Sequence, residues 1–170
     1  MDVIQICALA ILLVIAFLTD VKSQIIPNRL TLGFFLVGLL YQTAFHGLDG
    51  LLSAAVGAAS GFVPLLLLYA ARGIGAGDVK LFGAIGAWSG TWLVLQLLLY
   101  AILYAGLIGL LLVIVNRPYG KKLAGEASAL LVPDAGWRRL QWMRWAQSGK
   151  KFPFMLAVAP AAITVLFMMN

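Results

Sequence analysis

Long runs of apolar residues, separated by short polar breaks, dominate this sequence. An α-helix of about 20 apolar residues crosses the hydrocarbon core of a bilayer. The runs do not alternate between apolar and polar residues, as the strands of a membrane β-barrel would. The pattern therefore predicts an all-α polytopic membrane protein. The runs cover residues 3–19, 30–45, 51–71, 79–115 and 152–169.

The run at 79–115 is long enough for two helices. A break is expected near Ser89-Gly90-Thr91, with Trp88 and Trp92 as interfacial anchors on either side. Division at this point leaves a short fourth helix. The chain is therefore predicted to form one integral membrane domain, 1–170, with a basic cytoplasmic segment at 116–151. Its six predicted transmembrane helices cover residues 3–19, 30–45, 51–71, 79–90, 92–115 and 152–169.

The basic residues predict the orientation of these helices. The chain has 12 Lys and Arg against 6 Asp and Glu, a formal net charge of +6. Neither terminus nor the predicted loop at 46–50 contains a basic residue. Because cytoplasmic loops are the ones enriched in Lys and Arg, we predict that both termini lie outside the cytoplasm. This topology accounts for the positive charge, and we therefore expect no nucleic-acid partner.

Two carboxyl groups fall on the same predicted membrane face. Asp20 follows the first apolar run, and Asp78 precedes the helix predicted at 79–90. Ionisable residues within membrane segments are costly and are usually functional. Two carboxyl groups that meet share a proton, so that one activates water while the other donates a proton. The pair is therefore a candidate for acid–base catalysis.

The segment before Asp78 is rich in glycine. Gly75 and Gly77 permit close approach of another backbone, and Asp78 is placed to cap a helix that begins at Val79. Taken alone, this segment is also explained as a loop with a helix N-cap.

The segment after Asp20 has a simple structural explanation as well. Pro27 disfavours continuation of a helix at the residue before it, and Asn28 can cap the next helix. A cytoplasmic turn between two membrane helices would use both residues. It would not require Asp20, because the helix dipole disfavours a carboxylate at a helix C-terminus.

Together, the two segments resemble the two signature segments of the prepilin peptidase family, the Gly-x-Gly-Asp membrane aspartic proteases. The matching residues are Asp20 with Ile26-Pro27-Asn28, and Gly75-Ala76-Gly77-Asp78-Val79-Lys80. The size and layout are most similar to the short branch that processes Flp-type pilins of tight-adherence systems. The resemblance implies that Asp20 and Asp78 are the catalytic aspartates. Supporting positions are Gly75, Gly77, Lys80, Pro27 and Asn28.

The resemblance also implies a substrate and a location. The substrate would be a prepilin whose basic leader is cut on the cytoplasmic side of its hydrophobic segment, in the bacterial inner membrane. The longer branch of the family carries a Cys-rich insertion with methylating activity. This chain has one cysteine, Cys7, and no room for that insertion between its first two helices. We therefore expect no methyltransferase activity.

Several further expectations concern individual residues. With one cysteine and one histidine, His46, we predict neither a metal site nor a cofactor. Proteases of this type often place a proline from a late helix near the active site, and Pro153 lies at a suitable depth. A proline at a helix start is nevertheless ordinary. Residues 116–151 interleave Trp, Leu and Arg, which is typical of an interfacial helix against anionic membrane lipid.

An alternative function is a small proton- or cation-coupled carrier. Asp20 and Asp78 would then be ion sites, and glycine-rich broken helices would suit that role. A carrier is expected to place such sites near the bilayer midplane, whereas here both carboxyl groups are predicted at one edge. A non-catalytic assembly subunit would leave the two aspartates without a role.

Overall fold

The computed structural model describes residues 2–23, 26–70, 74–115 and 154–168. The described residues confirm the predicted all-α class. They form four helices: α1 (Val3–Ser23), α2 (Asn28–Ala70), α3 (Ala76–Val115) and α4 (Met155–Met168). α1, α2, α4 and α3 as far as Ala105 belong to one compact unit, and residues 106–115 of α3 belong to a second unit.

Three of the helices are long and apolar enough to cross a membrane. They are Val3–Ser23, Asn28–Ala70 and the part of α3 at Ala76–Leu111, whereas α4 is a shorter apolar helix of 14 residues. Large apolar side chains such as Leu40 and Leu103 are exposed on these helices. Exposed apolar side chains are expected where a helix faces lipid rather than water.

α2 and α3 are each interrupted by one glycine with a non-helical backbone. Gly47 has φ 62° and ψ −144°, and Gly90 has φ 75° and ψ 179°. Glycine adopts a positive φ readily because it has no Cβ atom. The interruption at Gly90 confirms the break predicted at Ser89-Gly90-Thr91. The loop predicted at 46–50 is reduced to Gly47 alone, with helical residues on both sides.

The first arm of α2, residues 28–46, runs parallel to the start of α3. Near the beginning of both segments, the Lys80 side chain donates a hydrogen bond to Asn28. Further along both, the indole Nε1–H of Trp88 donates to the carbonyl of Phe34 at 2.8 Å. Residue numbers rise together along the two segments, so they point in the same direction.

The second arm of α2, residues 48–70, runs antiparallel to the same part of α3. A Cβ atom on Gly57 would overlap the backbone carbonyl of Gly86, and one on Gly61 would overlap that of Phe82. Helices in membranes approach this closely where small residues line the contact. α2 therefore turns back on itself between its two arms.

The first segment of α3 is a short helix whose end is capped inside the bundle. It covers residues 76–89, 14 residues, or about 21 Å, which is less than the ~30 Å of a hydrocarbon core. The last carbonyls of such a helix lack partners within the helix. The buried side chain of Gln42 donates to the carbonyl of Trp88 at 3.3 Å. This bond from α2 supplies one of the missing partners.

The second segment of α3 turns back after Gly90, since the Phe82 backbone and the Val94 side chain both lie against Gly61, and it runs alongside α4. The hydroxyl groups of Tyr104 and Thr164 are hydrogen bonded at 2.9 Å, and Tyr100 donates to the sulfur of Met168 at 3.1 Å. Numbers rise along one helix as they fall along the other, so these segments are antiparallel. α4 also packs on α1. The core between the helices contains the fully buried side chains Leu12, Leu65, Leu81, Phe82, Ile85, Val94, Met155 and Val158.

Candidate active site

Asp20 lies within the last turn of α1. The helix was predicted to end at residue 19, but it continues to Ser23, whose hydroxyl donates to the carbonyl of Thr19 at 2.8 Å. The Asp20 side chain is buried, with 6% of its surface exposed. Its Oδ2 accepts a hydrogen bond from the backbone N–H of Met155 at 3.1 Å. Met155 is the first residue of α4, and its N–H is one of those at a helix start that have no partner within the helix. The Asp20 carboxyl group supplies that partner.

Asp78 is the third residue of α3 rather than its cap. The prediction that Asp78 caps a helix beginning at Val79 is wrong, because α3 begins three residues earlier, at Ala76. Oδ2 of Asp78 accepts the backbone N–H of Gly75 at 3.2 Å, and the N–H of Asp78 donates to the carbonyl of Gly75 at 3.2 Å. An acidic residue at the third position bonds back to the N-cap amide in a capping box. This pair of bonds allows the helix to start within the glycine segment and holds Asp78 buried, with 8% of its surface exposed.

Pro27 and Asn28 lie at the start of α2, and Ile26 before Pro27 is non-helical as predicted, whereas Asn28 has another role than the predicted one. The carbonyl of Pro27 accepts the N–H of Leu30 at 3.0 Å, so Pro27 is the residue that precedes the helix. Asn28 is the first helical residue and does not cap it. Its Oδ1 instead accepts the ammonium group of Lys80 at 2.9 Å. This bond joins the starts of α2 and α3, which carry the two sequence segments that resemble the protease family.

The two supporting glycines lie where a side chain would disturb the site. A Cβ atom on Gly77 would lie 3.2 Å from the Cβ of Ile26, and one on Gly75 would lie 3.1 Å from Oδ2 of Asp78. Ile26 is itself buried. The absence of a side chain at residue 77 therefore lets the connection between α1 and α2 lie against the start of α3.

The start of α4 touches both helices that carry an aspartate. Met155 is 1% exposed and donates its amide to Asp20, as described above. The Phe154 ring packs on the Phe82 ring with a centroid distance of 6.3 Å. Phe82 lies one turn after Asp78 on α3. Pro153, predicted to lie near the site, is outside the described residues, as is the segment 116–151.

These contacts place the two carboxyl groups at the same end of the bundle. Met155 bonds to Asp20, and its neighbour Phe154 packs on Phe82, one turn after Asp78. Each carboxyl group is buried and holds one backbone N–H through its Oδ2. Two neighbouring carboxyl groups in such an environment can share one proton and act as a base and an acid in turn.

The sequence predicted a late helix near this site through Pro153, but it did not indicate the groups that α4 contributes. The groups concerned are the backbone amide of Met155 and the ring of Phe154. Every residue except proline has a backbone N–H, so the sequence does not show which of them binds a given carboxyl group. The available signal was the helix start after Pro153, which marks unpaired amides but not the group that they bind.

The hydrogen bond between Lys80 and Asn28 predicts a measurable coupling. If the bond holds the starts of α2 and α3 together, Lys80→Met and Asn28→Ala should each lower the kcat/KM of the reaction proposed below by about two- to fivefold, as expected for one exposed bond. The double variant should be no worse than the worse single variant. Additive losses in the double variant would show that the two side chains act independently.

Comparison with known proteins covers most of this structure. Residues 7–114 match the type IV leader peptidase family, a stretch that includes Asp20 and Asp78. Similar proteins include the prepilin leader peptidase/N-methyltransferase of Bacillus subtilis, 34% identical over 108 residues, which are 62% of this chain and 43% of that protein. The protein of the same name from Pectobacterium carotovorum is 37% identical over 123 residues, 67% of this chain and 41% of the relative. The one from Neisseria gonorrhoeae is 33% identical over 142 residues, 72% of this chain and 46% of the relative.

The chain thus spans less than half the length of these curated relatives. No solved structure matches it significantly. The match to the family nevertheless covers more than half of the chain and both aspartates that are buried among the described residues. This protein therefore belongs to the type IV leader peptidase family.

Proposed function

We propose that this chain is a membrane-embedded aspartic endopeptidase that removes the basic leader from prepilin precursors. The observation that carries the proposal is the pair of buried carboxyl groups, Asp20 on α1 and Asp78 on α3, held at one end of the bundle. The names of the relatives support prepilin as the substrate class. α1 ends at Ser23 and α2 begins at Asn28, so the connection between them is too short to contain a separate domain. The proposal therefore does not include methyl transfer.

The proposed reaction is hydrolysis of a peptide bond with one water molecule. The ionised aspartate takes a proton from water, and the water oxygen forms a bond to the scissile carbonyl carbon. The protonated aspartate donates its proton to the carbonyl oxygen. When the tetrahedral intermediate collapses, the C–N bond breaks and the leaving nitrogen receives a proton from the first aspartate. The carbonyl oxygen returns its proton to the second, so the pair again holds one proton.

The hydrogen bonds at each carboxyl group suit this reaction. The amides of Met155 and Gly75 each bind one Oδ2 atom, and we propose that the Oδ1 atoms face the water and the substrate. Backbone donors on helix starts are rigid, so the carboxyl groups need little rearrangement before the reaction. A site at the membrane edge would also have access to water without opening the bilayer.

We propose a topology of six membrane crossings, with both termini outside and the site at the cytoplasmic face. The reversals at Gly47 and Gly90 support it, because α2 and α3 then contribute two crossings each. In a Cys7→Ser background, a single cysteine at Leu48 should react with a membrane-impermeant maleimide in intact spheroplasts. One at Ser23 should react only after permeabilisation. The reverse labelling pattern would contradict this orientation.

The finer parts of the proposal concern the branch of the family and the lipid. We propose that the substrates are Flp-type precursors, on the similarity of size and layout to the short branch. Residues 116–151 remain a predicted interfacial segment that binds anionic lipid, and they lie outside the described residues.

The test of the proposed function is cleavage by the purified protein. The chain, reconstituted in liposomes, is incubated with a prepilin precursor that has a basic leader and a hydrophobic helix. Mass spectrometry of the products should show one cut, on the N-terminal side of the hydrophobic segment. A precursor that remains intact with wild-type protein, while a known prepilin peptidase cleaves it, would contradict the proposal.

A further inference from the structure

The amide that reaches Asp20 comes from a separate helix far along the chain. Met155 lies 135 positions after Asp20, and its N–H donates to Oδ2 at 3.1 Å in a buried environment. Among the described residues, Met155 is the hydrogen-bond donor to this carboxyl group. The contact therefore depends on how α4 is seated, not on the local structure of α1.

The start of α4 is held in place by contacts with two other helices. The carbonyl of Phe154 accepts the N–H groups of Ala157 and Val158 at 2.9 and 3.2 Å, so Phe154 caps the helix and Met155 is its first residue. The Phe154 ring rests on Phe82 of α3. One residue thus fixes α4 against α3, and the next donates to Asp20 on α1.

The two helix ends act on Asp20 in opposite ways. Asp20 lies in the last turn of α1, where the partial negative charge of a helix C-terminus disfavours a carboxylate. The N-terminus of α4 presents the partial positive charge that favours one, together with an unpaired N–H. The contact with α4 therefore offsets the unfavourable position of Asp20 on its own helix.

We infer that the backbone amide of Met155 is a positioning group for Asp20. It holds one carboxyl oxygen of Asp20, so that the side chain keeps one orientation relative to Asp78 and the scissile bond. Asp20 has two rotatable side-chain bonds, and without the amide it would occupy several rotamers. This inference rests on the proposed peptidase function, since the role is defined by the reaction that Asp20 carries out.

The test removes the N–H without removing the start of the helix. Proline lacks the N–H and is favoured at the first position of a helix. Met155→Pro in the full-length protein should lower the kcat of precursor cleavage by about 10- to 100-fold, the loss expected for a hydrogen bond to a charged group. KM should stay unchanged, because the amide does not touch the substrate. The matched control is Met155→Ala, which truncates the same side chain but keeps the N–H, and its kcat should be at least about tenfold higher than that of the proline variant.

The possible outcomes separate this inference from its alternatives. Equal losses of kcat in the proline and alanine variants would show that Met155 acts by side-chain packing, and the inference would be wrong. A raised KM with unchanged kcat would also overturn it. Activity that survives Asp20→Asn would instead refute the proposed function. Where the proline variant does not fold, an ester in place of the amide at Met155, introduced as the 2-hydroxy analogue of methionine, removes the same N–H with the side chain intact and must show the same fall in kcat.

Discussion

Asp78→Asn and Asp20→Asn are each expected to reduce prepilin cleavage by at least about 10³-fold, because each removes a group that transfers a proton in the reaction. Asparagine has nearly the same shape as aspartate, and its carbonyl oxygen can accept the same backbone N–H, from Gly75 at residue 78 and from Met155 at residue 20. Both variants should therefore fold and insert as the wild type does. What they lose is the exchange of a proton with water and with the substrate carbonyl.

The double variant should be about as inactive as either single variant. Groups that act as one catalytic unit show strongly non-additive losses, since removal of one already disables the other. Leader removal by the reconstituted protein, followed by mass spectrometry, measures all three. Asp49→Asn is the matched control, because Asp49 is exposed and lies near the turn at Gly47, away from the site. Cleavage retained by both single variants would exclude an aspartic mechanism at this pair.

The second large effect is expected on stability, from Gly86→Ala. A Cβ atom at residue 86 would overlap the backbone carbonyl of Gly57 on the second arm of α2. Backbone atoms cannot rotate away as a side chain can, so the two helices must separate. Overpacking of this kind typically costs about 1–3 kcal/mol, and the rigid contact places this case at the upper end. Because Asp78 lies two turns earlier on the same helix, cleavage should fall as well.

The control for this variant uses a glycine in an open position. Gly33 lies in the first arm of α2, and a Cβ atom there would meet no atom within 4 Å. Gly33→Ala should raise helix stability by up to about 1 kcal/mol, since alanine is the better helix former. Thermal unfolding in detergent, monitored for both variants, compares the two glycines. If Gly86→Ala and the wild type have the same midpoint of thermal unfolding, the close approach of α2 and α3 at this glycine is not maintained in detergent.

Both aspartates lie farther inside their helices than the hydropathy pattern predicts. The hydropathy pattern located both at helix ends, and it misplaced the helix boundaries there by three or four residues. α1 continues past Asp20 to Ser23, and α3 begins at Ala76 before Asp78. The error has one cause, which is that a polar residue ends an apolar run without ending a helix. At Asp78 the bond to Gly75 stabilises the extra turn, and no apolar pattern reports such a bond.

The break in α3, in contrast, lies where the sequence predicted it. Gly90 was predicted to interrupt the run because two helices had to fit into residues 79–115, and glycine accepts the positive φ found there. The partner that caps the helix before the break, Gln42, was not predicted. Its position depends on how the first arm of α2 lies along α3, which is a contact between distant parts of the chain.

Local composition by itself determined the apolar helices, the breaks between them and the presence of two carboxyl groups at their ends. These features follow from the cost of placing polar groups in a hydrocarbon core, which acts on each segment separately. The tertiary structure alone decided which group holds Asp20, whereas Asp78 is held by the N–H of Gly75, three residues earlier in its own segment. The amide of Met155 reaches Asp20 through helix packing, and the backbones of Gly57 and Gly86 come into contact in the same way. Backbone amides and carbonyls are the same at every residue, so the chain has to fold before any one of them is singled out.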